Sequence, residues 1–370
     1  MTMFHAARSL MTLVELRRRP ALERVPASGP VLVDRLARRV RYLRVSLTDR
    51  CNLRCTYCMP EDGIDHVARS EVLTLEEVVR MAAAFVAWGV DRIRLTGGEP
   101  TLRRNLPWLV ASLAGLRTPE GRPLEVVMTT NGERLHELAG PLREAGLHAL
   151  TVSLDSLDPD RYVQITRRGR LDRCLAGIAA AHAAGFTRLK LNTVAVQGFN
   201  DDELADLCRY AWSFDATPRF IELMPMSAGR LFVPGTLLPA AEIRARIAAA
   251  VGGALVDDQA EGVRGHGPAR YFRVEGGPHA GRRIGTIAAM TENFCASCNR
   301  LRVSATGQLH ACLARDDTGD LRAALRTSTA DADDRLEQVV RAALGVKRDA
   351  HGFELDGRGG PDKAMISIGG

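Results

Sequence analysis

An α/β fold built as a partial, open barrel of the TIM type is what the sequence predicts, and three observations predict it. From Tyr42 onward, short β-branched apolar runs alternate with longer stretches of helical periodicity. Six such strand-then-helix units follow one another, which implies parallel strands joined by right-handed crossovers. Six units fall short of the eight of a complete barrel, so the barrel is left open. Beyond about Pro225 the alternation degrades into Gly- and Pro-rich segments. That stretch reads as a C-terminal extension that closes the open side. The predicted organisation is therefore a flexible N-terminal extension over residues 1–40, a barrel core over 41–225 and a C-terminal region over 226–370.

The predicted strands are Leu43–Leu47, Asp91–Thr96, Leu124–Thr130, Ala149–Leu154, Arg188–Val194 and Arg219–Leu223. The predicted helices are Leu75–Trp88, Leu106–Leu116, Leu135–Ala145, Leu171–Ala184, Asp201–Phe214 and Ala240–Ala250. In the fourth helix Leu171, Cys174, Leu175, Ile178 and Ala181 recur at the spacing of one buried face. Gly89, Gly146 and Gly185 stand where helices end. Before the barrel, Arg8 and Glu15 bracket only a short apolar run, too brief for a secretory signal.

Composition narrows the function classes. Hydrophobic residues make up 46% and charged residues 25%, the balance of a folded globular chain and not of a disordered one. The longest apolar run, Ile247 to Val256, is about half of the ~20 residues a membrane helix needs. No membrane partner is expected, and composition leaves nucleic acid undecided. The net charge of +6 comes almost wholly from scattered arginines, with only Lys190, Lys347 and Lys363 as lysines. A modest positive field of this kind suits a small polyanion as well as a nucleic acid. Gly276 to Gly281 has the glycine spacing of a phosphate loop, but Arg282-Arg283 replaces the Lys-Ser/Thr that such a loop needs and Pro278 removes an amide donor.

Eight cysteines fall into two tight triplets and two isolated residues, Cys174 and Cys208, which fit buried helical faces. Cys51, Cys55 and Cys58 form C-x3-C-x2-C directly after the first strand, and loops at the carboxyl ends of barrel strands are where sites are built. Three thiolates serve three irons of a [4Fe–4S] cube and leave the fourth open. A zinc knuckle is the alternative, although a closed zinc site wants four ligands and no histidine sits at finger spacing. Cys295 and Cys298, with Cys312 further on, repeat the three-thiolate pattern. Zinc with His310 as the fourth ligand remains the alternative there. Arg300 and Arg302 alternate beside them, so on an extended strand both project from one face and suit phosphate recognition.

The segment C-N-L-R-C-T-Y-C, followed at the second strand by Gly97-Gly98-Glu99-Pro100, resembles the signature of radical S-adenosylmethionine enzymes. Adding T-T-N-G, V-S-L-D-S-L, F-I-E-L-M-P, F-C-x-x-C-N-R-L-R and the terminal Gly369-Gly370, the chain is similar to the GTP-cyclising family of molybdenum-cofactor biosynthesis from about Tyr42 to its end. The resemblance implies two [4Fe–4S] clusters held by Cys51, Cys55, Cys58, Cys295, Cys298 and Cys312. It implies S-adenosyl-L-methionine bound near Tyr57, Gly97, Gly98, Glu99, Ser153 and Met224. GTP contacts fall on Arg44, Arg94, Thr129, Lys190, Arg300, Leu301 and Arg302. It further implies a one-electron reductant, hand-over of product to cyclic pyranopterin monophosphate synthase, no nucleic-acid partner, a cytoplasmic location, homodimerisation as an option and a Gly-Gly tail reaching the active site. A radical peptide-modifying enzyme and a non-catalytic iron–sulfur electron carrier are the competing readings.

Overall fold

The computed structural model of the 370-residue chain describes residues 31–227, 230, 232–258, 267–327 and 331–368. The expected extension over residues 1–30 and the terminal Gly369-Gly370 lie outside the described residues. Six parallel strands form the expected core: β1 (Tyr42–Ser46), β2 (Arg92–Thr96), β3 (Glu125–Thr130), β4 (Ala149–Ser153), β5 (Leu189–Ala195) and β6 (Thr217–Glu222). Between and after them run α1 (Leu75–Ala87), α2 (Leu106–Ala114), α3 (Leu135–Glu144), α4 (Pro159–Thr166), α5 (Leu171–Ala183), α6 (Leu204–Ser213) and α7 (Ala240–Val251). Of these only α4 is additional to the sequence reading. It is a short helix that Asp158 caps through the backbone N–H groups of Asp160 and Arg161, with Pro159 in its first turn. The apolar face expected of the helix at Leu171 is buried as Leu171, Cys174, Ile178 and Ala181, with Gly177 taking part. Cβ on Gly177 would come 2.1 Å from the Gly132 carbonyl oxygen, so the glycine lets α5 lie against the loop that precedes α3.

The C-terminal region does more than cover an opening. It adds β7 (Ala254–Asp257), β8 (Arg270–Glu275), β9 (Arg283–Ile287), β10 (Arg300–Val303), β11 (Gln308–His310) and β12 (Thr318–Asp320), then α8 (Leu321–Leu325) and α9 (Ala332–Val346). The complete sheet runs β12-β11-β10-β1-β2-β3-β4-β5-β6-β9-β8-β7. β10 pairs parallel with β1 at one flank, and β9 pairs parallel with β6 at the other. The parallel core thus has eight strands, two of them donated by the extension. Their outer edges pair antiparallel with β11 and β8, so the hydrogen-bond ladder itself does not close. The open side is crossed by the connection from β9 to β10, residues 288–299, which carries Cys295 and Cys298. The phosphate-loop look-alike at Gly276 to Gly281 is the turn between the antiparallel strands β8 and β9.

Residues 31–40 correct the expectation of a flexible segment up to residue 40. Leu32 and Val40 are fully buried in the main core, and Val33 bridges Arg39. Among the described residues no helix is long and apolar enough to cross a membrane.

Candidate active site

Strand alternation decides what faces the barrel interior. β1, β2 and β10 lie side by side in parallel, so the pairing Arg302–Arg44–Arg94 puts three guanidinium groups from three strands on one level. Two residues towards the strand N-termini, Arg300, Tyr42 and Arg92 form a second level. Opposite them, Lys190 on β5 and Arg219 on β6 project from the other half of the barrel. All of these residues line one cavity of about 650 Å³. The same wall contains the six triplet cysteines, Tyr57, Gly97, Gly98, Glu99, Thr129 and Ser153.

The two triplets lie at opposite mouths of this cavity. Cys51 follows the C-terminal end of β1, whereas Cys298 immediately precedes the N-terminal end of β10, which runs parallel to β1. At ~3.3 Å per residue, β1 alone separates the two mouths by roughly 13 Å. The cationic levels lie between them.

The first triplet is pinned by backbone. Arg54 N–H donates to Thr166 O and Thr56 N–H to Ile165 O, each at 2.9 Å, so the C-terminus of α4 holds the loop. Gly98 N–H donates to Thr48 O at 2.7 Å and Glu99 N–H to Arg50 O at 2.8 Å. A Cβ on Gly98 would come 2.2 Å from the Arg50 carbonyl oxygen. The glycine is needed because chain meets chain there, which seats the cysteine loop. The carboxylate of Glu99 is likewise committed to the protein. It accepts from Thr101 N–H at 3.0 Å, Thr101 Oγ1 at 2.6 Å, Thr130 Oγ1 at 2.7 Å and Asn131 N–H at 2.7 Å. These bonds make the side chain a staple between the ends of β2 and β3. Tyr57 donates to Asp155 Oδ2 at 2.7 Å, and burial pushes the Asp155 carboxyl up to about 6. Burial also pushes the Cys51 and Cys58 thiols up to about 12 and Cys55 well above its usual value.

The second triplet is held by side chains. Arg38 donates to Cys295 O at 2.6 Å and to Arg348 O at 2.8 Å, while Asp34 accepts from its Nε at 2.6 Å. Burial opposes ionisation of Cys298, but Arg300 and Lys347 outweigh it and hold the thiol at about 6. Lys363 Nζ lies 3.0 Å from Nδ1 of His310, and burial with that ammonium pushes the imidazole down to about 3. Among the described residues no three Cys, His, Asp or Glu side chains converge on a single metal ion. Each triplet brings three cysteines to the cavity wall, the ligand number of a cubane cluster that keeps one iron for a small molecule, so the residues present fit that group.

The polar wall between the mouths is strained for charge. Arg94 Nη1 donates to Thr129 Oγ1 at 2.8 Å and to Thr151 Oγ1 at 3.0 Å, and its Nε donates to the Tyr42 hydroxyl. Arg219 donates through Nη2 to the same Thr151 oxygen at 3.2 Å and through Nε to Asn192 Oδ1 at 2.9 Å. Thr151 thereby ties cations from both halves of the barrel. Burial lowers Lys190 to about 8, and burial together with Arg300 lowers Arg302 to about 10. Nη1 of Arg302 is buried without a hydrogen-bond partner. Burial raises the ordinary pKa of a phenol, yet Arg94, Arg44 and Arg92 bring Tyr42 down to about 8, and Arg219 and Lys190 do the same to Tyr271. A wall of this kind is poised for a multiply charged anion.

Two expected contacts are not on this wall. Leu301 is fully buried in the hydrophobic core, on the opposite face of β10 from Arg300 and Arg302. Its expected substrate contact is corrected: its side chain cannot reach substrate. Met224 lies just past β6, outside the cavity lining. Sequence reading missed Arg219, Tyr42, Tyr271, Asp155, Thr151 and Arg38. Arg219 carried a signal, as an arginine opening an apolar strand pattern opposite Lys190.

Residues 45–211 match the model of the Radical SAM superfamily, and residues 216–353 match that of Molybdenum Cofactor Synthesis C. The GTP 3′,8-cyclase of Nitrobacter winogradskyi is 42% identical over 325 residues, covering 88% of this chain and 91% of that protein. The protein of the same name from Rhizobium meliloti is 45% identical over 325 residues, covering 88% and 89%. That from Pseudomonas fluorescens is 44% identical over 338 residues, covering 89% and 96%.

Proposed function

The chain belongs to the GTP 3′,8-cyclase family of radical S-adenosylmethionine enzymes, and we propose how its own residues divide the work of that reaction. The enzyme converts GTP to (8S)-3′,8-cyclo-7,8-dihydroguanosine 5′-triphosphate in molybdenum-cofactor biosynthesis. The observation that supports the division is a single cavity with three cysteines at each mouth and cations from five strands between.

Cys51, Cys55 and Cys58 hold the first cluster, and Cys295, Cys298 and Cys312 hold the second, each leaving one iron for a small molecule. When bound, the first cluster and S-adenosylmethionine would supply a 5′-deoxyadenosyl radical as acceptor for the 3′ hydrogen atom of GTP; closing the C3′–C8 bond to give the 7,8-dihydro product takes one further electron and one proton, from an external reductant and solvent. Tyr57, steadied by Asp155, borders the cofactor together with Ser153 and the backbone of Gly97 to Glu99. Arg44, Arg94, Arg219, Arg302 and Lys190 clamp the triphosphate, with Thr129 and Thr151 setting the aim of Arg94. Arg300 holds the guanosine end near the second triplet, where its Nη2 lies 3.8 Å from Cys298 Sγ. Fixing both ends of the nucleotide sets C3′ within reach of one radical and denies it alternatives, an orientation effect worth up to ~7–11 kcal/mol when ideal.

Free thiols at all eight cysteines suit a reducing cytoplasm. The product would pass to cyclic pyranopterin monophosphate synthase, and an external one-electron donor would reduce the first cluster. The test is anaerobic: protein reconstituted with iron and sulfide is reduced and mixed with S-adenosylmethionine and GTP. The expected result is one cyclised guanine nucleotide per 5′-deoxyadenosine. 5′-Deoxyadenosine without that product would point to another substrate.

A further inference from the structure

Lys347 follows the last residue of α9 and is only 6% exposed. A buried ammonium is tolerated when its three N–H donors are all met and its charge is balanced. Here Nζ donates to Ala311 O at 2.7 Å, to Arg300 O at 3.0 Å and to Cys298 Sγ at 3.4 Å. Ala311 immediately precedes Cys312, and Arg300 opens the strand that follows Cys298. One side chain therefore ties the two loops carrying these two ligands. None of the three acceptors is a carboxylate, and the Cys298 sulfur alone among them can carry negative charge. A compact ammonium can send three donors to three such acceptors, whereas the planar fork of an arginine cannot. That accounts for a lysine here in a chain with only three.

Among the described residues no lysine donates to a sulfur of the first triplet. Its Cys51 sulfur accepts from a neutral peptide, Leu53 N–H, at 3.4 Å. We propose that Lys347 is a positioning residue of the second cluster: it fixes Cys298 and Cys312 relative to each other and, by donating to the Cys298 sulfur, raises that cluster's reduction potential. Reduction adds negative charge, and a fixed cation at a ligand sulfur favours the more negative state. The proposal rests on the reading that Cys295, Cys298 and Cys312 hold an iron–sulfur cluster.

The experiment is a redox titration of full-length, reconstituted protein followed by electron paramagnetic resonance. The Cys51→Ala/Cys55→Ala/Cys58→Ala variant identifies which signal belongs to the second cluster. Lys347→Met is expected to keep ~8 irons per chain. Its second cluster should become at least tenfold harder to reduce, a shift of ~59 mV for a one-electron couple. The first cluster's potential should stay where it is. Lys347→Gln, which keeps N–H donors without the charge, should fall between. Normal iron with an unmoved second potential in Lys347→Met overturns the proposal. If Lys347→Met sheds the second cluster, Lys347→Gln decides. Retained iron at a lowered potential supports the assignment, and retained iron at the wild-type potential or a second loss of iron overturns it. Wild-type protein holding only ~4 irons would instead defeat the two-cluster reading itself.

Discussion

Cys51, Cys55 and Cys58 lie in a loop held by backbone hydrogen bonds, with burial pushing their thiols up and, among the described residues, no ammonium or guanidinium donating to a sulfur. Cys298 lies under Arg300 and Lys347, which bring its thiol down to about 6. Burial pushes Cys295 up as well, so the contrast is carried by Cys298, one thiol of the second triplet held in an electrostatic setting opposite to that of the first triplet. The first setting suits a centre that must give up an electron, because a poorly compensated negative cluster is hard to reduce and strongly reducing once reduced. The second suits a centre that keeps its charge and serves as a binding site. The difference comes from the fold: the loop after β1 lies beside the carboxylates of Glu99 and Asp155, whereas β10 opens with Arg300 beside Cys298, where Lys347 joins it.

Removing one ligand from each triplet should break the comparison most sharply. Cys55→Ala and Cys298→Ala should each lower iron from ~8 to ~4 per chain. Cys55→Ala should abolish 5′-deoxyadenosine formation. Cys298→Ala should still release it while losing the cyclised product. Identical behaviour of the two variants would remove the division of labour. Next in size, Arg38→Ala breaks the bonds to the Cys295 and Arg348 carbonyls and should lower iron at the second triplet alone. Equal loss at both triplets, read by electron paramagnetic resonance, would show a general folding defect.

Thr151→Val probes the wall between the mouths. It deletes one acceptor shared by Arg94 and Arg219, and a hydrogen bond to a charged group contributes about 1.5–3 kcal/mol. GTP affinity measured calorimetrically should fall about tenfold or more with iron content unchanged; unaltered affinity would put the triphosphate elsewhere. The smallest effect is in the apoprotein. Above about pH 6 Cys298 is largely thiolate, while Cys51 and Cys58, held at about 12, remain thiols at neutral pH. Alkylation at pH 7 followed by peptide mass spectrometry should mark Cys298 first, and its rate should fall below about pH 6. Equal rates at the two triplets would erase the electrostatic contrast.

The barrel core was legible because its signals are local. Period-two apolar runs and helical faces such as Leu171, Cys174, Ile178 and Ala181 place each element within a few residues of where it forms. The helix at 332–346 carried a comparable signal, with Leu336, Val340, Ala343 and Leu344 all buried at helical spacing. It was obscured by its acidic first turn and the glycine-rich surroundings. The strands β7 to β12 were less legible, since β7, β10, β11 and β12 have only three or four residues each and β7, β8 and β12 are exposed or half-buried along much of their length.

Cysteine spacing by itself determined two loops of three thiolates, because ligand count and order along a loop are properties of contiguous sequence, and with the Gly-Gly-Glu-Pro segment it carried the resemblance that implied the kind of chemistry. Only the tertiary structure decided that the two triplets face each other across one cavity, that Arg302, Arg44 and Arg94 stand level, and that Leu301 turns away from both its neighbours. It also decided that residues 31–40 brace Cys295 through Arg38, and that Lys347 meets Cys298 across 49 positions of sequence. Those relations depend on which strands pair and in what register, and a register is settled by long-range packing, which no run of neighbouring residues encodes.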